Sequence, residues 1–237
     1  MSNGKSLTCI SEIFPVKGIL EIICYEITSA ETALQSVADR IVFAAERAWG
    51  GTTPNIDEFR YLKHKYTKPI YVQISPQSEA FLSSDTEFEK MKRDLLAFKD
   101  AGAAGFVFGI LNRGNQIDLK KNKELMALAD PLPCTFSKAA DHTPVLKETV
   151  EQLVRLGFHG VITSGGKRDI LKSKAELKEL VDLFSHRINI MINGNVSSKN
   201  ISEIKIETGA RFFHSTAIPP YESYVNEDEI KKLKMQL

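Results

Sequence analysis

Cysteine is scarce in this sequence. Only Cys9, Cys24 and Cys134 occur in 237 residues, an odd number and too few for a disulfide framework. A reduced, cytoplasmic protein is the expectation. An excess of one charge is lacking too: 31 Lys and Arg stand against 30 Asp and Glu, for a net +1. So balanced a chain has no bulk attraction for nucleic acid or a membrane surface, and neither is expected as a partner. No apolar run approaches the ~20 residues needed to span a bilayer, and the N-terminus lacks the apolar core of a secretory signal. What is left, 43% hydrophobic and 26% charged residues, is a globular composition able to fill one large core.

What the sequence does have is a repeat of form. Residues 1–18, interrupted by Gly4, Pro15 and Gly18, read as a loose leader. After them, short β-rich runs begin near Ile19, Asp39, Pro69, Ala104, Pro133, His159, Ile188 and Arg211, between 20 and 35 residues apart. That is the length of a βα unit. Helical periodicity fills the gaps: Phe88, Met91, Leu95 and Phe98 within 86–101; Val145, Leu146, Val150 and Leu153 within 143–156; Leu177, Leu180, Val181 and Phe184 within 173–186. Gly102 and Gly157 stand where helices should stop, and Asn226–Leu237 reads as a final helix. Eight such units predict one α/β domain over residues 19–237, a single (β/α)8 TIM barrel, whose usual size is ~250 residues.

The first run, Ile-Leu-Glu-Ile-Ile-Cys-Tyr at 19–25, organises the rest. It reads as a buried strand with one carboxylate in it. A lone carboxylate cannot face a dry helix–sheet layer cheaply, so Glu21 belongs in the lumen. Alternation then puts Ile23 and Tyr25 in the lumen and Cys24 against the helices. In the fifth strand Thr135 and Ser137 share the lumen face, so Cys134 also points outward. Strands one and five lie opposite each other across a barrel of roughly 15 Å, so their thiols cannot share an ion at metal–sulfur distances of ~2.3 Å. Structural cysteines and no metal ligands are the expectation.

In a barrel of this kind, chemistry gathers at the C-terminal ends of the strands. There Thr163-Ser164-Gly165-Gly166, followed by Lys167 and flanked by Asn193-Gly194, reads as a cradle for a small anion. The plainer reading is that these glycines only let the chain turn. His214 ends the last strand facing the lumen, beside Ser215. Glu21, Asp141 and His214, with Lys138 as an amine, are candidates for proton transfer. Glu21 lies deep, Asp141 reads as a cap for the helix after Thr143-Pro144, and Lys138 falls on the outward phase, so no catalytic role is assigned. Trp49, before Gly50-Gly51, would cover the mouth, pack on the next helix, or meet a second subunit in a homodimer.

In these runs and loops the sequence resembles the CutC family of copper homeostasis barrels over roughly residues 19–220. Leu-Glu-Ile-Ile-Cys-Tyr at 20–25, Ala-Asp-Arg at 38–40 and Gly-Gly-Thr-Thr-Pro at 50–54 match the family's opening. Phe-Gly-Ile-Leu at 108–111 matches its middle; Thr163-Ser164-Gly165-Gly166 and His214-Ser215 match near its end. The resemblance implies a cytosolic barrel linked to copper tolerance, with copper itself implied by the family name alone. The sequence departs from the family pattern at Ile23, where a cysteine is frequent, and at Val42, where a glutamate is usual. Ser75 and Gln77 replace two arginines, Ser78-Glu79 a Gly-Gly pair, and Ser137-Lys138 a His-Arg pair. The family site is thus expected to be rebuilt or abandoned. The alternatives are a barrel enzyme acting on a small phosphorylated or carboxylate metabolite, and a relative that keeps the fold for binding only. If Val42 faces the lumen as the family's glutamate position does, Arg40 does too. The expectation is a structural Glu21–Arg40 ion pair low in the barrel, in two-point contact.

Overall fold

The computed structural model describes residues 17–76, 81–166 and 170–237. Strands and helices alternate: β1 (Ile19–Cys24), α1 (Ile27–Gln35), β2 (Arg40–Phe43), α2 (Ile56–Lys65), β3 (Ile70–Gln73), α3 (Asp85–Asp100), β4 (Gly105–Phe108) and α4 (Leu119–Ala129) form the first half. The second half runs β5 (Cys134–Phe136), α5 (Leu146–Leu156), β6 (Gly160–Thr163), α6 (Lys174–Phe184), β7 (Asn189–Ile192), α7 (Ile201–Thr208), β8 (Phe212–Ser215) and α8 (Glu227–Met235). All neighbouring strands pair in parallel, and β8 pairs back onto β1 to close the barrel. The chain is a (β/α)8 barrel, with each strand beginning at or one residue after the position its sequence suggests. The leader lies outside the described residues except for Lys17 and Gly18.

Alternation along the short strands separates two apolar layers. Leu20, Ile22, Phe43, Phe106, Phe108, Phe136 and Phe213 point outward and pack under the helices. Ile23, Val42, Ala44, Tyr71, Val107, Ile162 and Met191 fill the lumen. Most of the large side chains are therefore in the outer layer, and the lumen has room for the long Arg40 side chain and the Tyr71 ring. Gly105 makes space for the ring. It pairs with Tyr71 across β3 and β4, and a Cβ there would fall 2.5 Å from the Tyr71 ring.

The loops that carry helices into place use ordinary end chemistry. Ser84 and Glu87 form a reciprocal capping box at the start of α3, satisfying two amide donors that a helix end leaves unpaired. Asp39 is not part of β2. Its carboxylate accepts from the Leu20 amide at 2.6 Å and from Lys234 of α8 at 2.5 Å, so the last helix is tied to the bottom of the first two strands. Among the described residues no helix is long and apolar enough to cross a membrane.

Candidate functional site

Strand register alone brings three ionisable residues together. Glu21 of β1 lies opposite Arg40 of β2 on one side and His214 of β8 on the other. All three share the lumen phase. Glu21 is wholly buried and its two oxygens are divided: Oε2 accepts from Arg40 Nε at 2.5 Å, and Oε1 contacts His214 Nδ1 at 2.7 Å. The expected two-point contact with arginine is absent, because histidine takes the second oxygen. The rest of the guanidinium lies 4.2 Å from the centre of the Tyr71 ring and reaches Met191 Sδ at 3.4 Å. Burial alone would raise the Glu21 carboxyl. The Arg40 and His214 contacts outweigh it and hold the group below the usual carboxylate range. An ionised carboxylate only accepts, so His214 carries a proton on Nδ1, and in the neutral form of the ring Nε2 is the lone pair.

The trio is not sealed below the site. His214 lines a cavity of about 330 Å³ at the C-terminal mouth, together with Ile23, Tyr25, Gln73, Lys138, Asn193 and Thr216. Among the described residues no Asp or Glu lines it. Among the described residues the Tyr25 hydroxyl, the Lys138 ammonium, the Asn193 side-chain amide, the Thr216 hydroxyl and His214 Nε2 have no hydrogen-bond partner. Burial pushes the Tyr25 phenol up to about 12, so it stays a donor at neutral pH. Lys138 reaches this mouth because β5 ends at Phe136. Ser137 then caps a 3-10 turn over Lys138–His142, and the outward phase expected for Lys138 does not apply.

The loop read as an anion cradle is already filled, by Asp141. One of its oxygens accepts from the Ser164 amide at 2.9 Å and the Ser164 hydroxyl at 2.6 Å. The other accepts from the Gly166 amide at 3.1 Å and from the Thr163 hydroxyl. The Gly165 amide donates to Thr163 Oγ1 at 2.9 Å. Asp141 therefore does not cap α5, whose cap position is Val145, without a side-chain bond. None of Thr163, Ser164, Gly165 and Gly166 lines the mouth cavity, whereas Asn193, Gly194, His214 and Ser215 do. Ser215 is occupied, donating to the Val196 carbonyl at 2.6 Å and accepting from the Ala217 amide. Gly194 is required at its place. Its φ is +116°, and a Cβ would come within 2.9 Å of Ser164 Cβ. Lys167, and Gln77-Ser78-Glu79 after β3, lie outside the described residues.

The cysteines face the outer layer. Cys24 is fully buried and its thiol donates to the Ser29 carbonyl at 3.5 Å. Burial raises its pKa well above the ordinary thiol value, and burial pushes Cys134 up to about 12. A copper(I) ion wants thiolate or thioether ligands, and these two thiols, neutral and turned from the lumen, do not fit it. Cys9 lies outside the described residues. Among the described residues no group of three or more His, Cys, Asp or Glu side chains is placed to hold a metal ion. Trp49 is 47% exposed in the loop after β2 and does not line the cavity, although Gly50 beside it does.

Two features escaped the sequence reading: the Glu21–His214 contact and the mouth position of Lys138, whereas Tyr25 faces the lumen as alternation predicts. The first was accessible in principle, since barrel closure puts the last strand beside the first.

These features define a (β/α)8 barrel with an internal Arg–Glu–His trio beneath a polar mouth. The chain belongs to the CutC family, whose sequence model it matches over residues 18–219. It is 36% identical to the copper homeostasis protein cutC homologs of Homo sapiens and Mus musculus, over 84% of this chain and 73% of each relative. The crystal structure of CutC from Streptococcus agalactiae is 28% identical and superimposes with a TM-score of 0.80, covering 84% of this chain and 98% of that one. The 3-hexulose-6-phosphate synthase of Salmonella typhimurium, 15% identical, superimposes with a TM-score of 0.64 over 92% of this chain and 98% of its own, a likeness of fold alone.

Proposed function

We propose that this chain serves in copper homeostasis, as the names of its relatives suggest, by binding a small anionic ligand at the barrel mouth rather than by holding copper on its strand cysteines. The observation that carries this reading is the lining of the mouth cavity. Among the described residues one unpaired ammonium, Lys138, and several neutral donors converge there with no opposing carboxylate. Its volume of about 330 Å³ is at the small end of ligand sites. A cationic rim over neutral hydrogen-bond donors selects small anions by charge and by hydrogen bonding. The binding locus is the β5, β7 and β8 ends, with His214, Asn193 and Lys138, and not the 163–166 loop.

Calorimetric titration with inorganic phosphate at low salt tests this. Saturable binding is expected, weakened roughly tenfold or more in Lys138→Ala, since a hydrogen bond to a charged group contributes ~1.5–3 kcal/mol. Absence of binding, or equal affinity in the variant, contradicts the reading. A second titration addresses copper. Cys24→Ser/Cys134→Ser should bind copper(I) with the same stoichiometry and affinity as the parent, and loss of a tight site in the double variant would restore a thiolate role.

A further inference from the structure

A binding site needs donors and a shape; it does not need a buried carboxylate dedicated to one ring nitrogen. We infer that the mouth of this barrel also transfers protons, with His214 Nε2 as the base that removes a proton from the carbon beside a carbonyl in a small anionic substrate. The inference rests on the binding reading above and adds a reaction to it.

The geometry points this way in three steps. Glu21 contacts His214 Nδ1 at 2.7 Å, which fixes the ring's orientation and tautomer and would balance the imidazolium formed when Nε2 takes a proton. Arg40, 2.5 Å from the other carboxylate oxygen, keeps Glu21 ionised for that purpose. In the same cavity the Tyr25 hydroxyl and the Asn193 side-chain amide have no partner among the described residues. They are the donors a developing enolate oxygen would need. Lys138 at the rim would hold the substrate's anionic group.

The step balances without an outside reagent. The C–H pair becomes a carbon–carbon double bond, the carbonyl π pair moves to oxygen, and the proton resides on His214 Nε2. Return of a proton to carbon restores the carbonyl. Nothing is oxidised or reduced, and in heavy water the returned nucleus is deuterium. His214 is then a catalytic residue and Glu21 a positioning residue that acts through it.

The test is deuterium incorporation in heavy water, followed by NMR, with dihydroxyacetone phosphate and pyruvate as probes and calorimetry on the same samples. The parent protein should exchange at least one probe well above the protein-free rate. His214→Gln should lower that rate by ~10²-fold or more, the usual span of a general base. Glu21→Gln should lower kcat while leaving KM near the parent value, a split that mere loss of packing would not produce. Lys138→Ala, an exposed position, should raise KM and spare kcat; it does not depend on the core variants folding. Exchange that persists in His214→Gln overturns the inference. Probes that bind without exchanging overturn it and leave the binding reading standing. Probes that neither bind nor exchange overturn both.

Discussion

A carboxylate with no exposed surface must have its charge matched by its neighbours, and Glu21 has two that match it unequally. Arg40 is permanently charged, so the Glu21–Arg40 contact of 2.5 Å governs stability, and the His214 contact governs the state of the ring. Removing one partner of a buried pair leaves an uncompensated charge, at a cost of ~3–5 kcal/mol. Arg40→Met should show that loss in urea unfolding at pH 7, and Glu21→Gln/Arg40→Met should recover part of it. The pH dependence has a definite sign. In the parent, Glu21 has a lowered pKa in the folded state, so the unfolded chain binds more protons and stability rises with pH. Its contribution is full above the unfolded carboxyl value of about 4.3 and is lost as pH falls through the lower folded value. In Arg40→Met, burial is less opposed and the folded carboxyl moves up, so variant stability falls as pH rises from that same point. The gap between the two proteins should therefore widen from pH 4 to pH 7. A constant gap would mean that Glu21 is not the group being compensated.

At the scale of single elements, the loop after β6 shows how far sequence reading goes. Thr163, Ser164 and Gly166 do form an anion-binding arrangement of amides and hydroxyls, as their composition suggests. The anion is the chain's own Asp141. Nothing in the spacing of 141 and 163–166 announces that contact, because it depends on β5 ending at Phe136 and turning at once into a 3-10 segment. The same early turn brings Lys138 to the mouth. Asp141 thus fastens the β5 and β6 loops together and closes the cradle to ligands. Asp141→Ala should lower Tm and leave open the four amide and hydroxyl donors that Asp141 accepts from. Sulfate should then raise Tm in the variant by more than in the parent, read by differential scanning calorimetry. An equal sulfate response in both proteins would show that the loop is not an anion site even when vacated. By contrast α3, α5 and α6 were legible to within three residues at each end, because their apolar spacing and the stop at Gly157 are local signals.

At the scale of the whole molecule, the barrel was legible from eight apolar runs at βα spacing, and lumen phase followed from one carboxylate that could not face the helices. The resemblance to CutC added the phase of β2, and with it Arg40. The sequence reading separated an ion pair low in the barrel from chemistry at the top. Closure removes that separation. Because β8 pairs back onto β1, His214 stands in register with Glu21 and reaches from the buried charge to the mouth cavity in one ring. Short strands make this reach feasible: β2 and β8 have four residues each, so a side chain that starts low in the lumen is never far from its upper end.

That joining of a fixed charge to the mouth through one imidazole is the central claim, and the state of the His214 ring tests it most directly. Long-range nitrogen–proton NMR spectra of imidazole-labelled protein at neutral pH, with the His214 signals assigned by their loss in His214→Gln, report which nitrogen carries the proton. The contact with Glu21 requires a proton on Nδ1, and a base role for His214 requires a bare Nε2 whose shift moves when inorganic phosphate is added. A ring protonated on Nε2 with Nδ1 bare, or an Nε2 indifferent to phosphate at saturation, would contradict it.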